Sequence, residues 1–290
     1  VHAALLDTAT RANAAFASPL DVLRGQPLGR IGTLEIRLAA NAGEVAAAQE
    51  LRYKVFYEEC GAGRHSAPST DRRDADRFDD ICDHLLVFDT AMPGPRHRQI
   101  VGTYRLLGQE AAQKSGGFYS QDEFALDALI DRHPTKRFLE LGRSCVLPAY
   151  RSKRTIEALW QGIWAYVTQN RVDAMVGCAS FHGVQPQAHA EALSYLWHHC
   201  RANAEWSVSA VAKRYHRMDL MPLEAVGTKS ALLGLPPLIK GYLRVGARIG
   251  DGCVIDDDFG TVDVFIVMPV GAIGARYVNY YTGEANRSAG

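Results

Sequence analysis

The stretch FLELGRSCVLPAYRSKRTIEALW, residues 138–160, decides how the rest of the chain is read. Its first half is apolar enough for a buried strand, yet it carries Glu140, Arg143 and Ser144. Pro148 then breaks the strand and a cationic turn follows. Beyond the turn, Ile156, Leu159, Trp160, Ile163, Trp164 and Val167 recur at helical spacing, with Thr155 as the expected N-cap. A charge in a central strand has to be paired or face a cleft, because burying it alone is costly. Two readings stay open for this group. It is either a Glu–Arg pair that holds the sheet or a carboxylate in a cleft, able to accept a proton or hold an amine. The turn 150–155 (Tyr150, Arg151, Ser152, Lys153, Arg154, Thr155) joins formal charge to the free N–H groups of a helix start. That combination suits a phosphate, and the alternative is a solvated loop.

Working outward, IGTLEIRLA (31–39) alternates as a strand, and EVAAAQELRYKVFYEE (44–59) repeats Val45, Ala48, Leu51, Val55 and Phe56 as a helix. The polar segment 61–80 breaks all periodicity. HLLVFDT (84–90) and QIVGTYRLLG (99–108) read as a hairpin joined by a Pro- and Gly-rich connector. A short helix is expected over 118–131, an apolar strand over 172–181, a helix over 187–200 and a further strand over 262–268. This alternation indicates an α/β or α+β sheet domain. The expected organisation is a partly flexible leader over 1–30 and one domain over 31–290, whose last part, about 201–290, elaborates the same unit.

Of 290 residues, 47% are apolar and 22% charged, and 32 basic side chains balance 32 acidic ones. That composition suits a globular protein with a sizeable core and argues against a dedicated nucleic-acid binder. The six cysteines are dispersed without a CxxC, which fits a reducing cytoplasm. No apolar run approaches the roughly 20 residues that span a bilayer, and the N-terminus does not read as a secretory signal. No GxGxxG or Walker lysine is present. His182, His189, His198 and His199 lack metal-ligand spacing, so no metal is expected.

Arginines also stand where apolar residues dominate, Arg52 in LRYKVFYEE and Arg105 in IVGTYRLL. The order of LRYKVFYEE, an aspartate-rich segment, IVGTYRLL and LELGRSCVLPAYR resembles the acyl-homoserine-lactone synthases, within the wider GNAT superfamily of acyltransferases. FDDICDHLLVFD, GFYSQDEF, LELGRSCV, GCASFHG and PPLIKGYLRVGARIGDG are more similar to the L-ornithine N-acyltransferases of bacterial ornithine-lipid synthesis, from about residue 32 to 281. The resemblance implies a GNAT-like fold, a twisted mixed sheet flanked by helices and splayed in the middle to take the donor's pantetheine. It implies transfer of a 3-hydroxyacyl group from acyl carrier protein to the α-amino group of L-ornithine, giving lyso-ornithine lipid by direct aminolysis. No bound cofactor is implied, the donor arm being the carrier's phosphopantetheine. An amphiphilic product implies work in the cytoplasm, beside the inner face of the membrane.

Carried over by motif, Arg52, Phe56, Asp76, Asp79 and Arg105 line the acceptor site, with Asp83 a further candidate carboxylate. Glu140, Arg143 and Ser144 are the catalytic candidates. Glu140 is expected as base, Ser144 or Tyr150 as proton donor to the thiolate, and Arg52 or Arg105 as partner of the acceptor's carboxylate. The tryptophan that lactone synthases carry after the first helix is absent from CGAGRHS (60–66). The acetyl-CoA loop of GNAT enzymes would fall at YRSKRT, which lacks both of its glycines. A basic edge for a carrier's phosphate arm fits better, and AKRYHRM (Lys213, Arg214, Arg217) is a second basic stretch. The rival readings are lactone synthesis, acetylation of a small amine, and a non-catalytic module that binds carrier protein or a membrane surface.

Overall fold

Apolar runs bounded by Gly, Pro and Asp form one eight-stranded sheet in the computed structural model, which describes residues 24–63, 71–274 and 277–278. The strands are β1 (Pro27–Ile31), β2 (Leu34–Leu38), β3 (Asp83–Asp89), β4 (Ile100–Gly108), β5 (Phe138–Val146), β6 (Ala174–His182), β7 (Arg248–Asp256) and β8 (Thr261–Pro269). Their spatial order is β1-β2-β3-β4-β5-β6-β8-β7, and every neighbouring pair is antiparallel except β5–β6.

The strand expected over 31–39 is two strands. Gly32, at φ +61°, turns the chain so that Ile31 pairs with Leu34. The last residues of the expected leader thereby join the sheet as β1, while residues 1–23 lie outside the described ones. The hairpin of β3 and β4 forms as expected.

Successive side chains of a strand point to opposite faces, and both faces of this sheet are covered. Leu85 and Val87 of β3 meet the large core under α4 (Lys153–Gln169), which packs along β1, β2 and β3. Leu86 and Phe88 meet α1 (Ala42–Tyr53) on the other face. α1 runs on into a π-helical turn, Lys54–Glu59, a feature often found at functional sites. Ser152, not Thr155, caps α4. Its hydroxyl accepts the Thr155 N–H, and Thr155 itself is buried one turn inside. The buried stripe runs through Thr155 and Leu159, which leaves Ile156 half exposed.

The helix expected over 118–131 is two pieces, a 3-10 turn, Tyr119–Asp122, and a later helix α3 (Leu126–Arg132); α2 (Gln109–Lys114) precedes both. Phe124 forms a β-bridge to Ala210 between them, so the helix cannot continue. The helix expected from 187 forms as α5 (Ala190–His199), behind a 3-10 turn at Pro186–His189. Two helices that the sequence did not indicate follow, α6 (Thr228–Gly234) and α7 (Pro237–Val245). β7 was also unforeseen, its pattern interrupted by Gly250 and Gly252. Among the described residues, no helix is long and apolar enough to cross a membrane.

Candidate active site

The parallel pairing of β5 with β6 covers only Phe138–Ala174 to Glu140–Val176. Beyond it, β5 stays with β4 and β6 stays with β8, so the two strands part and leave hydrogen-bonding groups free along β5. Gly177 sits at the parting, where a Cβ would strike the Leu141 carbonyl oxygen. Just beyond, β5 carries an extra residue. Thr103 pairs with Cys145 and Arg105 with Gly142, so three steps on β5 match two on β4. This bulge puts Arg143 at φ +48°, a left-handed conformation uncommon for a non-glycine residue.

The bulge aims Arg143 into a buried network of three arginines and three aspartates. Arg52 Nε donates to Asp74 Oδ2 at 2.7 Å, and its two terminal nitrogens donate to Asp79 at 2.8 and 3.0 Å. A further bond reaches the Asp74 carbonyl oxygen. Arg105 donates to Asp76 at 2.6 Å, while Arg143 donates to Asp74 and Asp76, each at 3.2 Å. Burial works against the charge of Asp79, but the bonds and charge of Arg52 outweigh it and hold the carboxyl below its ordinary pKa. The Arg143 guanidinium also lies over Tyr119 and Phe259, and Phe259 meets Phe56 edge-on.

Arg52, Phe56, Asp76, Asp79, Arg105 and Arg143 therefore lie together, and Asp74 joins them unforeseen. The convergence corrects one expected role. The nitrogens of Arg52 already serve Asp74 and Asp79, and the side chain is 1% exposed, so no face remains for an acceptor carboxylate. Asp83 lies outside the network. Its carboxylate accepts from Tyr166 at 2.8 Å and faces Arg24, on the α4 side of the sheet.

Glu140 is 4% exposed, and its two oxygens each accept a 2.8 Å bond, from the backbone N–H groups of Tyr119 and Ser120. Burial drives its pKa up, and those bonds oppose the rise. The side chain thus ties β5 to the 3-10 turn. Ser144 points to the opposite face and hydrogen-bonds Tyr104, whose hydroxyl also meets that of Tyr242 at 2.9 Å. Tyr242 belongs to α7, which closes the α4 face of the parting over a small apolar cavity lined by Leu141, Met175 and Gly177.

At the basic turn, Tyr150 donates to Asp89 at 2.9 Å and Arg151 is paired with Glu59 at 2.7 Å, so neither stands free. Lys153, near Glu157, and Arg154 are exposed at the start of α4. Arg217 pairs with Asp219, and Arg214 turns inward to Glu123. Glu123 belongs to a group that sequence reasoning missed, with Cys178 and Asp263. Asp263 carried a visible signal, a carboxylate inside the apolar run TVDVFIVMP.

Residues 51–161 match the model of the acetyltransferase (GNAT) domain. The L-ornithine N(alpha)-acyltransferase of Brucella abortus (strain 2308) is 58% identical over 274 residues, which covers 94% of this chain and 96% of that protein. The chain belongs to the L-ornithine N(alpha)-acyltransferase family. It is an acyltransferase with a GNAT fold, as the sequence motifs implied. The enzyme of the same name from Agrobacterium fabrum (strain C58 / ATCC 33970) is 57% identical, over 90% of this chain and 89% of that one. FeeM, an N-acyl amino acid synthase from uncultured soil microbes, superposes with a TM-score of 0.47 at 10% identity, over 82% of this chain and 91% of its own.

Proposed function

We propose that this chain moves a 3-hydroxyacyl group from acyl carrier protein to the α-amino group of L-ornithine, giving lyso-ornithine lipid. The observation that carries acyl transfer is the parting of β5 and β6, which frees a strand edge beside buried carboxylates. The names of the relatives at 57–58% identity support ornithine as the acceptor. Direct aminolysis needs a neutral amine, a polarised carbonyl and a thiol that can leave. An N–H on the free edge of β5 hydrogen-bonds the thioester oxygen, where negative charge develops. The exposed Lys153 and Arg154, in the first turn of α4, take the phosphate of the carrier's pantetheine arm. A turn without the two glycines favours a carrier protein over the wrapped pyrophosphate of CoA. The test is thiol release from 3-hydroxyacyl carrier protein. Release that depends on ornithine, and is weak with 3-hydroxyacyl-CoA, is expected; equal rates from both donors would remove the carrier protein from the reading.

The product has an acyl chain and a charged head, and one face of the molecule suits the surface it must reach. Leu233 is 72% exposed, with Leu232 and Leu238 also exposed beside Lys229, Arg244 and Arg248. A cavity of about 550 Å³ opens there, lined by Leu232, Lys240, Leu243 and Arg244. Leucines ringed by cations match an anionic bilayer. Leu233→Glu is expected to abolish co-sedimentation with phosphatidylglycerol vesicles. Binding that survives the change would place the contact elsewhere.

A further inference from the structure

On the sheet face that carries the arginine network, a second polar group lies where β5 and β6 part. Glu123, just before α3, accepts from the Cys178 thiol on β6 at 3.3 Å and pairs with Arg214 at 3.2 Å. Asp263, on β8, lies opposite Ser180 of β6, and its carboxylate is within 4.8 Å of the ligand atoms of Glu123 and Cys178. Glu123 is 3% and Asp263 5% exposed. Cys178 is two residues past Val176, the last partner of β5, so the group stands where a thioester on the free edge of β5 would be attacked.

The Asp263 carboxylate faces few donors. Among the described residues, Asp263 Oδ1 and Thr261 Oγ1 make no bond within 3.5 Å, and the donors facing the Asp263 carboxyl are the neutral hydroxyls of Thr261 and Ser180. Thr261 and Asp263 are two apart on β8 and so share one face. Two neutral hydroxyls are weak service for a buried carboxylate, which a charged donor would satisfy better. Two carboxylates opposed by one guanidinium also leave room for one more positive charge. An ammonium brings one charge and three N–H donors.

We propose that Glu123 and Asp263 seat the acceptor's α-amino group, and that Glu123, rather than Glu140, takes its proton before attack. The proposal rests on the acyl-transfer reading given above. One proton passes from the ammonium to the Glu123 carboxylate and on to solvent. The freed lone pair attacks the thioester carbon, the N–C bond forms and the C–S bond breaks. A second N–H proton ends on the departing sulfur, leaving an amide and a free thiol. The groups facing Glu123 are Asp263 of β8, Asp256 of β7, Cys178 of β6, Arg214 and the Tyr119 phenol. Burial first, and Asp263 next, push the Glu123 carboxyl up to about 7, while Arg214 pulls it down. A base of that strength matches neutral pH.

The experiment is the pH dependence of kcat/KM for ornithine at saturating 3-hydroxyacyl carrier protein. The wild-type enzyme is expected to lose activity on the acid side near pH 7. Glu123→Gln is expected to lower kcat by about 10²- to 10⁴-fold and to abolish that acid limb. Asp263→Asn removes a nearby negative charge and should move the limb to lower pH. Arg214→Met removes a positive one and should move it to higher pH. Should Glu123→Gln fail to fold, the opposite shifts of the two neighbours decide the matter alone. Glu123→Gln within about threefold of wild type on an unchanged profile, or neighbour shifts of the same sign, overturns the proposal. A wild-type enzyme that acylates ornithine while the variants keep its profile removes only the Glu123 assignment. A wild-type enzyme that acylates no amine removes the transfer reading and the assignment together.

Discussion

Arg52 lies between Asp74 and Asp79 with its charge fully enclosed, so Arg52→Met would strip the buried Asp79 of its two guanidinium bonds and leave Asp74 only Arg143. Breaking a buried ion group by removing one partner costs about 3–5 kcal/mol, and urea denaturation of this variant is expected to show a loss of that size. A loss under about 1 kcal/mol would mean that the network is not the anchor of α1. Asp263 is expected to behave in the opposite way. Its folded carboxyl is pushed up to about 6 by burial, above its value in the unfolded chain. The stability it contributes is therefore fully present below about pH 4 and is lost as pH rises through 6. Asp263→Asn is expected to raise stability at pH 8 by on the order of 2 kcal/mol and to change little at pH 4, as thermal melts at both pH values would show. Glu140 and Arg143 were legible because a charge inside an apolar strand demands a partner. Asp263 gave the same signal in TVDVFIVMP. Glu123 gave none, because its burial comes from a bridge between Phe124 and Ala210, far apart in sequence. Asp74 was hidden in a run of acidic and basic residues whose inward members depend on where Arg52 and Arg143 arrive.

At the level of elements, periodicity worked where one face is apolar and failed where backbone geometry decides. α4 was legible from its spaced aromatic and aliphatic residues, although its cap moved to Ser152. The bulge in β5 was not, since nothing in GRSC distinguishes an extra residue from an ordinary strand step, yet it aims Arg143 at the aspartates. β7 was missed because Gly250 and Gly252 interrupt its alternation, and α7 because Pro-Pro at its start reads as a breaker when it is a helix entry. The start of α4 carries the proposed donor contact. Lys153→Glu with Arg154→Glu is expected to raise KM for the carrier-bound donor about tenfold, more at low salt than at high, with kcat for the bound donor little changed. Equal effects at all salt concentrations would argue against an electrostatic role for this turn.

Across the molecule, the strands follow chain order from β1 to β6, and the hairpin of β3 and β4 within that part was legible in the sequence. The last third breaks that order, because β8 inserts between β6 and β7. This pairing runs along the whole of β6 and brings Asp263 to the reaction face, so the C-terminal part helps to build the proposed site. Pairing across long separations leaves no local mark in the sequence. The central claim is transfer of a 3-hydroxyacyl group to the α-amino group of ornithine. Mass spectrometry tests it most directly, on the product of purified protein with 3-hydroxyacyl carrier protein, an equimolar mixture of amino acids and S-adenosylmethionine. A single Nα-acylated ornithine is the result this account predicts; an acyl-homoserine lactone, or acyl groups spread evenly over the amino acids, would contradict it.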